Sequence, residues 1–182
     1  FGGKNSSYAF LAGNGGVEGD LLGVADDFIG DNNDTISVSG EHYFVSHGGE
    51  GTGFAENFAS FDVNAGGVAI MGATSLGSSG GDGYDLVNVD ALNLNTGGHL
   101  YIDNQSTLNV GSFTQADDSL LSFYLVEPPT TDGVAGVDFG QIIASGDVTL
   151  SGTLQAVINP LSFSGTGLTE YVYEDVIVGD SL

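Results

Sequence analysis

From Ser106 to Ile158 the chain alternates apolar and polar positions in short bursts, each broken by Gly or by paired Asp. Leu108 and Val110 form one run, Leu120, Phe123 and Leu125 another, and Ile142 and Ile143 a third. Val148, Leu150, Leu154, Ala156 and Ile158 follow. Several of these alternate with Thr, Ser, Gln or Asn, the period-2 pattern of a strand with one buried face. Gly111, Asp117-Asp118, Gly146 and Gly152 punctuate the runs. They suit turns, because Gly adopts positive φ without steric cost and Asp tolerates it. Strands this short cannot bury an apolar face alone and must stack on their neighbours.

The rest of the chain fits the same plan. Residues 1–25 are Gly-rich and weakly patterned, as a terminal repeat with one neighbour would be. An acidic turn leads into a strand at Thr35–Ser39, with Ile36 and Val38 on one face. Residues 58–71 give two strands joined at Ala65-Gly66-Gly67, and residues 169–178 read as a last strand pair. The segments 46–57 and 72–83 read as loops leaving the stack, and Pro128-Pro129 marks another, since neighbouring prolines do not fit a central strand.

Residues 84–102 and 139–157 share a plan at an offset of about 55 residues, with the strand pair 106–125 between them. Each runs through an apolar pair (Leu86-Val87; Ile142-Ile143), then Leu92 and Leu94 or Val148 and Leu150, then a Gly turn and a closing strand. An internal repeat without a helical period predicts an all-β solenoid over 1–182, less regular in 1–83 than in 84–182. About eight rungs at the parallel strand spacing would make a stack on the order of 40 Å long. A β-sandwich of jelly-roll type is the competing architecture for the same short strands.

Composition narrows the function. The 182 residues suffice for one domain with a real core, and 31 Gly against 3 Pro fits many tight turns. There are 24 acidic residues and one basic one, Lys4, for a formal net charge of −23. At that charge, with no Arg, the chain is a poor partner for nucleic acid or an anionic membrane, because nothing neutralises phosphate. Self-repulsion at this charge should be relieved by salt. Cys is absent, so neither disulfides nor thiol chemistry arise. The opening residues FGGKNSSYAFLAG do not read as a signal peptide, and no segment is long and apolar enough for a membrane helix.

Candidate chemistry is sparse. His42, His47 and His99 have no metal-ligand spacing, and no G-x-S-x-G elbow accompanies the many Ser, so no catalytic residue, cofactor site or metal site is assigned. The expectation is a chain that is not an enzyme. Calcium is the best chemical candidate: residues 80–88, GGDGYDLVN, fit the G-G-x-G-x-D-x-U-x repeat, and Gly30–Ile36 is a partial copy, offering Asp31, Asp34, Asp82 and Asp85 as oxygen donors. A calcium roll needs tandem copies, and these lie far apart. Asn5, Asn33 and Asn104 head glycosylation sequons, which arise by chance in a chain this rich in Asn and Ser.

The order STLNVGSFTQADDSLLSFYL, a loop, then FGQIIASGDVTLSGTLQAVINP resembles the passenger-associated repeat of bacterial autotransporters, with the match covering roughly residues 84–182, about half the chain. The resemblance implies that the solenoid is a right-handed parallel β-helix, near the autochaperone region of an exported passenger, upstream of an outer-membrane barrel. It implies a surface-exposed or secreted segment that acts as stalk and folding template and supports adhesion. Its partners would be the translocator barrel of the same polypeptide and a host or neighbouring cell surface. The final residues EDVIVGDSL would then be followed by more passenger. Two other readings from the residues are a subunit of an extracellular fibre, self-associating through open strand edges, and a calcium-dependent adhesive module.

Overall fold

The computed structural model describes residues 7–10, 27–44, 52–72, 83–126, 132–158 and 172–180, with the backbone alone for residues 7–10 and Asp27. No helix occurs among them. The strands are β1 (Ser7–Phe10), β2 (Asp27–Ile29), β3 (Thr35–Val38), β4 (Glu41–Phe44), β5 (Gly53–Val63), β6 (Val68–Met71) and β7 (Tyr84–Leu94). They continue as β8 (His99–Ile102), β9 (Thr107–Gln115), β10 (Leu120–Leu125), β11 (Gln141–Ala144), β12 (Val148–Leu150), β13 (Thr153–Ile158) and β14 (Ile177–Val178).

Every ladder between these strands is parallel. One sheet runs β1-β3-β5-β7-β9-β11-β14, with β2 beside β5 and β12 beside β9; the other runs β13-β10-β8-β6-β4. The chain thus winds as a β-solenoid of about four turns, a right-handed parallel β-helix. The jelly-roll alternative fails because a sandwich needs antiparallel ladders. Among the described residues the antiparallel contact is a single bridge, Leu125 to Phe139.

Successive rungs are β2-β3-β4, β5-β6, β7-β8, β9-β10 and β11-β12-β13. The sides of the first sheet bend within β5 and β7, so each rung presents a first side, a second side and, after a turn, a third side in the other sheet. Inward residues form columns along the axis. Ile36, Phe61, Leu92, Phe113 and Val148 make one, each beside the next in register. Phe44, Met71, Ile102 and Phe123 make another across the third side. All nine are buried, and the full burial of each large apolar side chain contributes about 1.5–3 kcal/mol. The shared plan at 84–102 and 139–157 is real: Leu86 lies beside Leu108 and Leu108 beside Ile142, so the copies are two turns apart.

Turns between the second and third sides also stack. Gly67 N donates to Asn64 O and Gly98 N to Asn95 O, both at 2.8 Å, while Gly66 N donates across the rungs to Gly97 O at 3.0 Å. Gly66 and Gly97 sit at φ 75°, and Asp118 takes the equivalent place at φ 58°. Asn95 Nδ2 donates to Asn64 Oδ1 at 3.1 Å, and Asn64 Nδ2 to Ser37 Oγ at 2.7 Å. These carboxamides satisfy one another down the stack, which is the favourable arrangement for half-buried polar groups.

The structure departs from the sequence reading in four places. The described strands make five successive rungs, about four turns of the solenoid, against about eight rungs expected, because each rung takes up two or three strands. Of the loop read over 46–57, residues 46–51 lie outside the described residues, and residues 53–57 form the start of β5, Gly53–Glu56 pairing in register with Tyr84–Val87. Of the last strand pair expected at 169–178, residues 169–171 lie outside the described residues, and the described remainder holds one strand, Ile177–Val178, with Val172 bridging Asp132. The apolar face of the final rung is not half-buried: Leu150, Leu154 and Ile158 are 46%, 59% and 50% exposed although Leu154 and Ile158 align with buried Leu121 and Leu125. No further strand pairs with β13 on its outer edge among the described residues.

Candidate functional site

The bend between the first and second sides is built from asparagine. Asn32, Asn57 and Asn88 occupy it in the first three rungs at φ 67°, 63° and 51°. Left-handed backbone turns the chain sharply, and Asn is among the few residues with a side chain that tolerate it. The three are tied together: Asn32 N donates to Asn57 O at 2.7 Å, and Asn88 Nδ2 to Asn57 Oδ1 at 3.3 Å.

The fourth rung has no such residue. Leu86 lies beside Leu108, but Val89 lies beside Val110, so β9 crosses the bend one residue short. The fifth rung widens again through Ser145, Gly146 and Asp147, between β11 and β12. A short rung between longer ones leaves an open groove of about 340 Å³, lined by Asn32, Asn88, Asp90, Asn109, Gly111 and Ser145, with buried Val89 and Val110 beneath. Gly111 is required there, since a Cβ would stand 2.5 Å from the carbonyl oxygen of Asp90. The groove presents carboxamides, a carboxylate and a hydroxyl beside the apolar side chains of Val89, Val110 and Ile143, a mixed lining that suits the polar rim and apolar ring face of a sugar. The one basic side chain of the sequence, Lys4, lies outside the described residues.

Asp31, Asp34 and Asp85, the calcium candidates among the described residues, do not form a metal-binding group. Asp31 is exposed and accepts from Asn33 N at 3.1 Å, closing its own loop. Asp34 is fully buried, in phase with inward-facing Ile36 and Val38, and neither carboxylate oxygen has a hydrogen-bond partner. A buried carboxylate without a hydrogen-bond partner carries a desolvation cost. Asp85 lies two rungs on, where it accepts from Thr107 N at 2.6 Å; burial pushes its pKa up while that bond pulls it down. Asp82 and His47 lie outside the described residues. Among the described residues no group of three or more His, Cys, Asp or Glu is suited to a metal ion. Of the sequons, Asn33 is exposed, Asn104 is buried with Nδ2 donating to Val137 O at 2.6 Å, and Asn5 is outside the described residues.

One polar chain escaped sequence reasoning. His99 Nε2 lies 2.9 Å from Ser122 Oγ, and Ser122 Oγ donates to Gln155 Oε1 at 3.0 Å. The hydroxyl proton therefore points away from the imidazole, which donates its own N–H. Ser122 is fully buried, so the pair links three rungs rather than presenting a nucleophile. Register between strands, which no sequence spacing encodes, creates this contact.

No family model, curated protein or solved structure matches this chain.

Burial lowers the pKa of His99 below its ordinary 6.5. The native state then binds fewer protons than the unfolded one, so its share of stability is present above pH 6.5 and lost as pH falls through that value towards the folded pKa. Relief of acidic self-repulsion acts in the opposite direction. Urea unfolding of the wild type and His99→Gln at neutral and mildly acidic pH separates the two. The wild type should lose stability relative to the variant on acidification, and a constant difference would refute the assignment.

Proposed function

We propose that the chain is a non-enzymatic autotransporter passenger segment, surface-exposed or secreted, whose solenoid serves as stalk and folding template. The observation that supports this most is the all-parallel stacking from rung to rung, shifted in register only at the bend between β7 and β9, and ending among the described residues on an edge whose inward residues are unfilled. Leu154 is 59% exposed where Leu121, directly beside it, is fully buried. Each completed rung therefore offers the next both main-chain partners and an apolar column. Folding of this kind, outside the cell, draws a chain outwards without ATP. A net charge of −23 and the absence of Cys suit passage through a pore unfolded. The translocator barrel of the same polypeptide would be the partner, and an adhesive region the cargo of the stalk.

Removing residues 139–182 tests the template role. It deletes β11 to β14 and exposes β9 and β10 as edges. Residues 1–138 alone should unfold without cooperativity, by circular dichroism in urea, where the whole chain should give one sharp transition. An unchanged midpoint and steepness in the shortened chain would remove the template role. A reading frame that continues into a membrane-barrel sequence would support the class.

The exposed edge of β13 favours a second reading, a fibre subunit, because an unpaired strand with apolar residues recruits further strands. Regular filaments in electron micrographs of the purified chain would select it, and monomers the stalk.

A further inference from the structure

We propose that the groove at the asparagine bend binds a neutral glycan laid along the solenoid axis, a site that stands whether or not the chain is an autotransporter passenger. Its volume of about 340 Å³ lies at the lower end of the range for small-molecule sites, enough for a short run of sugar units.

The lining selects the chemistry. Carboxamides of Asn32, Asn88 and Asn109 both donate and accept, the Asp90 carboxylate accepts, and the Ser145 hydroxyl does either. A ligand dense in hydroxyl groups satisfies that mixture. A lipid or other apolar ligand would leave those groups desolvated without partners. Uronates, sulfates and phosphates would meet Asp90 and the field of a chain of net charge −23, with no basic group described in the groove to offset either.

The site is also built before any ligand arrives. Asn32 and Asn88 both sit in left-handed backbone, which persists only where neighbours enforce it; the Asn32 N–H is bonded to Asn57 O, and the Asn88 carboxamide is oriented by its bond to Asn57 Oδ1. Groups fixed in advance lose little freedom on binding. Gly111 lets the fourth rung pack closely on the third at the groove, because a Cβ there would run into the Asp90 carbonyl. The shortened fourth rung is not needed for the inner columns, which pass it in register on both sides. Its consequence is the groove.

Isothermal titration of the whole chain tests this, with maltohexaose, cellohexaose, xylohexaose and mannohexaose against oligogalacturonate and hyaluronan fragments. At least one neutral oligosaccharide should bind with millimolar affinity or tighter, and the uronates about tenfold more weakly or not at all. Asn109 is exposed at mid-groove, so Asn109→Leu should abolish binding while leaving the urea midpoint in place. Should that variant unfold early, Ser145→Leu at the exposed far wall takes its place. The proposal falls if no neutral oligosaccharide binds, if uronates bind equally well, or if a folded groove variant binds like the wild type.

Discussion

Replacing Phe61 by Ala should lower the free energy of unfolding by about 3–5 kcal/mol. Phe61 is fully buried between Ile36 and Leu92 in the column of the second side. Its ring also meets Phe44 of the third side at a centroid distance of 5.2 Å and an interplanar angle of 62°, the edge-on geometry aromatic pairs prefer. Truncation thus leaves a cavity that spans the solenoid and that parallel ladders on either side hold open. Leu154→Ala is the control: the residue also faces inward, but its column ends there and it is 59% exposed, so the cost should stay below about 1 kcal/mol. Urea denaturation of both variants reads the difference. Equal costs would mean that the last rung is covered in solution, and that the open edge on which the template role rests does not exist.

Gly67→Ala should cost roughly 2–4 kcal/mol, and Gly66→Ala only about 1–2 kcal/mol. The two glycines are neighbours in one turn and fail for different reasons. Gly66 is at φ 75° with nothing within 4 Å of an added Cβ, so alanine there suffers only the left-handed backbone penalty. At Gly67 the Cβ would run into the carbonyl oxygen of Val38 in the rung before. That oxygen already accepts from Asn64 N at 2.8 Å, so pushing it aside also breaks the bond that starts the turn. Thermal unfolding of the two single variants ranks them. A Gly66 variant weaker than the Gly67 variant would show that backbone conformation, not the approach of rungs, limits this turn.

Much of the fold is legible along the chain because its determinants are local. Ile36 and Val38 alternate with Thr35 and Ser37, and that alternation alone assigns inward and outward faces of β3. The repeat between 84–102 and 139–157 is recoverable from apolar pairs and a Gly turn. A closer repeat was there to be found: Asn57, Asn64, Gly66 and Gly67 recur as Asn88, Asn95, Gly97 and Gly98, 31 residues on. It is obscured because the positions between them change freely within apolar or polar classes. Seen in the sequence, it would have placed Gly53–Asn57 in a strand and marked the bend.

The candidate groove was not legible in the same way. No motif encodes it; it follows from one residue that β9 lacks relative to β7, and a missing residue is visible only once the strands are aligned in space. The same holds for the hydrogen-bonded chain from His99 to Gln155 and for the burial of Asp34 beside Ile36.

By itself, then, the sequence determined that this protein is built of stacked short strands, strongly acidic and turned by Gly, Asn and Asp. Those are properties of alternation, composition and single-residue backbone preference, each readable within a few positions. Only the tertiary structure decided how many turns the stack makes, which side chains form columns and where a column opens to water. Register between strands is a relation between distant residues, and a shift of one position changes every neighbour without changing the local pattern.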